Sequence, residues 1–206
     1  MNKKYNTLVL SGGGQKGISF IGVLQSLQKN SNFNTNDIKF LAGSSIGGII
    51  CTALCIKYNL QEIKNVFLSM NFLQLCPSLH DNKYEGKMIE QIFFSYSISD
   101  GKNMKNILCQ LFTEKKINTN ITFRELYQVS KKHLVLTGSN ITNMTPEYFS
   151  YTKTPDMSVL TALLITTRLP YIFPPITINN ALYIDGHLFD PFPIRGFSNK
   201  IIKTME

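Results

Sequence analysis

The apolar and polar positions of this chain switch repeatedly between a period of two and a period near 3.6. Residues 5–10 alternate and are rich in β-formers, which predicts a strand. Directly after a glycine stretch, Ile18, Ile21, Leu24 and Leu27 recur at helical spacing as far as Lys29. Residues 38–42 predict a short buried strand, 46–58 a helix, and 60–71 another helix with Ile63, Val66, Phe67 and Met70 on one face. Residues 73–80 have no clear period and read as a loop or cap with exposed apolar residues. Helical stripes return at 88–96 and 104–112. Thr122 and Glu125 form a capping-box pattern that starts a helix. Residues 134–141 predict a central strand and 147–151 an edge strand. Residues 159–168 predict a helix stopped by Leu169-Pro170, and Leu182-Tyr183-Ile184 a short strand before the turn Asp185-Gly186-His187. Strand, glycine loop, helix, then strand and helix again is how a parallel α/β sheet begins.

A candidate for chemistry lies where the second strand turns into its helix, in a stretch that by itself also reads as a small-residue turn with no chemistry. Gly43-Ser44-Ser45-Ile46-Gly47 is G-x-S-x-G centred on Ser45. In a nucleophile elbow the serine occupies a strained turn, and small flanking residues let strand and helix approach. The hydroxyl then stands at a helix N-terminus, where the dipole and the free N–H groups favour an alkoxide or an oxyanion.

The first glycine stretch, Ser11-Gly12-Gly13-Gly14-Gln15-Lys16-Gly17, has two competing readings. Gly12, Gly14 and Gly17 satisfy the dinucleotide fingerprint, and Asp37 follows at a suitable distance. Asp37 precedes the second strand, however, whereas a ribose-binding acid belongs at that strand's C-terminal end. A phosphate-binding P-loop fails outright, because its Gly-Lys-Ser/Thr ending is missing. The other reading is an oxyanion hole, in which consecutive glycines let backbone N–H groups converge on one oxygen at the same sheet edge as Ser45. Gln15 and Lys16 either order that loop or meet a substrate head group.

Composition narrows the classes. The 206 residues predict a single domain, 1–206, large enough to bury a core. No stretch approaches a membrane span or a signal-peptide core, so the expected location is cytoplasmic, with peripheral contact to membranes. Cys51, Cys55, Cys76 and Cys109 lack metal-site or disulfide spacing and read as reduced core thiols. The net charge of +8 favours acidic partners. Because the lysines are scattered and no nucleic-acid motif is present, an anionic lipid surface is favoured over nucleic acid. The lysine pairs 115–116 and 131–132 read as solvated surface, and the oligomeric state is not legible.

Four blocks in order and spacing, Leu10 to Gly17, Gly43 to Gly47, Leu169-Pro170 with Phe173-Pro174-Pro175, and Asp185-Gly186, resemble the patatin-like phospholipases. The resemblance runs from Leu8 to Ile194. It implies a three-layer α/β/α fold with a mainly parallel central sheet, and a Ser-Asp dyad that cleaves acyl esters of phospholipids and other lipids without a metal or other cofactor. By motif, Ser45 would be the nucleophile and Asp185 the base, with Gly12, Gly13 and Gly14 binding the oxyanion. Gln15, Lys16, Gly17, Gly43, Gly47 and Gly186 would support them. Two departures stand out: His187 where a Gly or Ala is usual, and Asp190-Pro191 where the family usually has an Asn pair. The chain also looks abbreviated after Phe197, with Ile201-Ile202 as a candidate last strand. These departures motivate a second reading, a lipid-binding or interaction module without useful catalysis.

Overall fold

A computed structural model describes residues 5–69 and 97–197. The loop expected at 73–80, the helix at 88–96, Cys76, His80 and the strand at Ile201-Ile202 lie outside the described residues.

The described order is β1 (Thr7–Leu10), α1 (Ile18–Asn30), β2 (Phe40–Gly43), α2 (Ile46–Cys55), α3 (Leu60–Ser69), α4 (Lys102–Glu114), α5 (Phe123–Ser130), β3 (His133–Asn140), β4 (Thr145–Ser150), α6 (Val159–Thr166), β5 (Ile176–Ile178) and β6 (Ala181–Asp185). β1, β2 and β3 are parallel neighbours, as the strand-loop-helix opening predicts. β4 and β6 both pair antiparallel with β3, and β5 pairs antiparallel with β6, so the sheet is mixed.

Strand periodicity divides the two faces. Leu8, Leu10, Leu41, Leu134 and Leu136 join the main core, where α2 is buried at all ten positions. Such a helix, apolar all round, belongs inside a domain. The intervening residues Val9, Ala42 and Val135 face the other way, into a smaller cluster closed by Phe40, Tyr148 and Phe197. Phe197 is therefore a core residue.

Boundaries moved where tertiary bonds compete with pattern. β2 begins at Phe40 rather than residue 38, because the Lys39 and Phe40 N–H groups both donate to the Asn6 carbonyl. The Lys132 ammonium meanwhile donates to the carbonyls of Thr35, Asn36 and Ile38. Lys132 is thus half-buried and holds the approach to β2, and Lys115 pairs with Glu62 at 2.8 Å, so neither lysine pair is plain solvated surface. α2 stops at Cys55 because Lys57 adopts a left-handed φ of 67°, which ends the helical ladder. β5 is a strand the pattern missed. Its turn into β6 is Asn179-Asn180, both at positive φ (49° and 63°), the two-residue hairpin geometry that asparagine tolerates.

The capping box is formed as expected: the Glu125 N–H donates to Thr122 Oγ1, and the Thr122 N–H to the Glu125 carboxylate. Cys51 and Cys55 lie unoxidised on α2, and burial pushes the Cys55 thiol up to about 12, which makes it unreactive. Gly22 on α1 is exposed with nothing within 4 Å of an added methyl group. Gly22→Ala is therefore expected to raise stability by about 1 kcal/mol in chemical denaturation, because alanine loses less backbone entropy in a helix.

Candidate active site

β3 acts as the ruler that assembles the site. β4 occupies one of its edges along Val135–Asn140, so β2 and β6 share the other edge end to end. Gly43 of β2 stands opposite Leu136, and Asp185 of β6 opposite Gly138. Two strands running in opposite directions thereby deliver the residue after Gly43-Ser44 and the last residue of β6 to the same place.

There the Ser45 hydroxyl donates a 2.7 Å hydrogen bond to Asp185 Oδ2. The two side chains come from positions 140 residues apart and are 6% and 1% exposed. Ser45 has φ 52° and ψ −124°, a positive φ that a residue with a Cβ rarely adopts, and it is followed at once by α2. The strain is held by packing: an added methyl on Gly43 would lie 2.4 Å from the Gly47 backbone, and one on Gly47 2.5 Å from the Leu10 carbonyl. β1, β2 and α2 thus meet backbone to backbone, and only glycine permits it.

Asp185 is fixed on every side. Its Oδ1 accepts from the His187 N–H at 2.8 Å, its N–H donates to the Arg168 carbonyl at 2.8 Å, and its carbonyl accepts from the Ser139 hydroxyl at 2.8 Å. Burial raises the carboxyl from the usual range to about 6, against the opposing pull of the Ser45 bond, the His187 N–H and the nearby His187 side chain. The result is a buried carboxylate that changes protonation just below neutrality while in contact with a serine hydroxyl.

The glycine loop reaches the same corner. Gly12 N–H donates to the Pro191 carbonyl at 3.3 Å, and an added methyl on Gly12 would lie 2.4 Å from His187 Nδ1, so the 187–191 segment lies directly on the loop. Gly13 and Gly14 follow, and their N–H groups have no acceptor among the described residues. Gln15 and Lys16 are exposed, Gly17 is buried against Ile46, and Gly186 is buried beside Thr137. Of the two departures, His187 is exposed with its ring against Gly12, and the Asp190 carboxylate accepts from the Tyr148 hydroxyl at 2.6 Å.

Three residues at the site carry no motif. Thr166 Oγ1 accepts the Ser45 N–H at 2.9 Å, which removes that donor from any oxyanion role. The signal was present as a threonine at the end of the largely apolar α6, where it is fully buried. Ser139 bridges Asp185 to the Phe189 N–H, and Arg168 contributes its backbone carbonyl. A cavity of about 420 Å³ lined by Tyr58, Glu62, Val66 and Lys115 lies between α3 and α4 and shares no residue with this site.

The family profile of the patatin-like phospholipases matches residues 8–198. The chain belongs to this family. Among its relatives, a probable lipid hydrolase of invertebrate iridescent virus 6 is 36% identical over 93% of this chain and 63% of its own length. A triacylglycerol lipase of Schizosaccharomyces pombe is 27% identical over 83% of this chain and 34% of its own. The chain therefore spans less than two thirds of the relatives it matches. The crystal structure of VipD from Legionella pneumophila shares the fold at a TM-score of 0.67 and 19% identity, over 96% of this chain and 49% of that one. Among the described residues of this patatin-like chain, no helix is long and apolar enough to cross a membrane.

Proposed function

We propose that the chain is a lipid acyl hydrolase working through a Ser45–Asp185 dyad. Ser45 Oγ attacks the ester carbonyl carbon while its proton passes to Asp185 Oδ2. The carbonyl oxygen becomes an oxyanion facing the Gly13 and Gly14 N–H groups, while Gly12 leaves the expected set because its N–H donates to the Pro191 carbonyl. Collapse of the intermediate expels the alcohol, which takes the proton from Asp185 and leaves an acyl-Ser45 ester. Water then attacks that ester with Asp185 again receiving the proton, releasing the fatty acid and restoring Ser45.

The observation that carries this reading is the 2.7 Å bond from a strained, buried serine to a buried carboxylate raised to about 6. Such a carboxylate is a better base than an ordinary aspartate and is still ionised at neutral pH. Family membership and the lipid-hydrolase and lipase relatives support acyl lipids as the substrate class. The +8 charge supports approach to an anionic membrane surface. A second reading, a lipid-binding module of weak or no activity, draws on His187, whose ring lies against Gly12 in the glycine loop.

Product analysis by mass spectrometry after incubation with mixed phospholipids and triacylglycerol tests both. Fatty acid released by the wild type and absent with Ser45→Ala is the expected result. Lipid binding without any released fatty acid would replace the hydrolase with the binding module.

A further inference from the structure

Three segments converge on the Ser45–Asp185 pair: 11–18 through the glycine loop, 168–173 through the Arg168 carbonyl that holds Asp185, and 186–195 through His187 and Pro191 against Gly12. All three leave large apolar side chains in solvent: Ile18 on the first, Leu169 and Tyr171 on the second, Leu188 and Phe192 on the third. Tyr171 is 75% exposed and Phe192 50% exposed, although nothing in the local pattern requires an aromatic at either position. Tyr171 also has a φ of 65°, a conformation that tyrosine rarely adopts and glycine accepts freely. The Ile98 N–H to its carbonyl and the Ile172 and Phe173 N–H groups to the Leu169 carbonyl hold it there. A strained aromatic kept in water, three residues along the chain from the carbonyl that holds Asp185, is unfavourable unless the side chain has a partner.

Charge names the partner. The exposed Lys and Arg side chains of these segments are Lys16 and Arg195, and their lone acidic residue, Asp190, is tied to the Tyr148 hydroxyl. Apolar side chains with an amphipathic tyrosine, flanked by cations and without a free carboxylate, match the interface of an anionic phospholipid bilayer. We propose that these segments form the membrane-docking rim of the protein, with Tyr171 and Phe192 as its apolar anchors, seating the Ser45 site on anionic bilayers. This rests on the lipid-hydrolase reading for the identity of the occupant.

The test is co-sedimentation of the full chain, in a Ser45→Ala background so that no lipid is consumed, with equimolar phosphatidylcholine–phosphatidylserine vesicles. Tyr171→Gly and Phe192→Ser are each expected to weaken binding about tenfold, the loss of one interfacial aromatic. Thermal melting serves as the folding control, and Tyr171→Gly should melt no lower than its parent because it relieves a positive φ. Folded variants that bind these vesicles as tightly as the parent would overturn the proposal. Hydrolysis in the Ser45 background is scored separately on a monomeric short-chain ester. If wild type cleaves no ester while the anchor variants still lose vesicle binding, the docking rim stands and the hydrolase reading falls.

Discussion

Asp185→Asn is expected to lower lipid hydrolysis by a factor of about 10² to 10⁴, the usual contribution of a positioned base, while leaving the protein at least as stable as wild type at neutral pH. The two effects have one origin. Burial lifts the Asp185 carboxyl to about 6, against about 3.9 in an unfolded chain, so between these values the folded state holds more protons than the unfolded one. Stability therefore falls as pH rises through about 4 to 6, and above that window the ionised carboxylate costs about 3 kcal/mol. Asparagine carries no charge yet keeps both bonds: its carbonyl accepts the His187 N–H, and its amide donates to Ser45 Oγ. Denaturant melts of both proteins at pH 4 and pH 8 check this. The asparagine variant should gain on wild type only at the higher pH, and a gain confined to low pH would contradict the assigned burial. The wild-type rate should also fall below pH about 6, where Asp185 is protonated and cannot take the serine proton.

Gly43→Ala should have the largest effect on the fold itself. The added methyl would sit 2.4 Å from the Gly47 carbonyl carbon and oxygen and 2.5 Å from the Gly48 nitrogen, all backbone atoms that cannot rotate away. A cost of about 3 kcal/mol or more is expected, seen as a lowered melting temperature or insoluble expression. Gly13→Ala is the contrast. The nearest atom to an added methyl is 3.7 Å away, so no clash should unfold the chain, while hydrolysis falls as the methyl crowds the oxyanion position. Equal melting temperatures for Gly43→Ala and wild type would mean that strand and helix do not meet as closely as described.

What the sequence made legible follows from how local each cause is. The elbow is written in five consecutive residues because its constraint is a backbone approach that only small residues allow, and the same holds for the Gly12 to Gly17 loop. α1 and the Thr122 capping box were readable for the same reason. Asp185 came from a motif match, since nothing in the local pattern of β6 says that its last residue lies against a serine 140 positions earlier. That fact is created by β3, which offers one edge to two strands of opposite direction. Thr166, Ser139 and the Arg168 carbonyl were missed because their partners are tertiary, although a hydroxyl buried in an apolar helix is a usable sign of one. β5 was missed because Pro174-Pro175 suggests loop, while the hairpin is specified by the two residues directly after the strand, Asn179-Asn180.

We propose Ser45 as a nucleophile activated by its position and by Asp185. The most direct measurement is labelling with a fluorophosphonate probe, followed by mass spectrometry of the modified peptide, for wild type beside Ser45→Ala. The predicted result is a single adduct on Ser45 in the wild type and no labelling of the alanine variant. Equal labelling of both proteins, or an adduct on another residue, would contradict it.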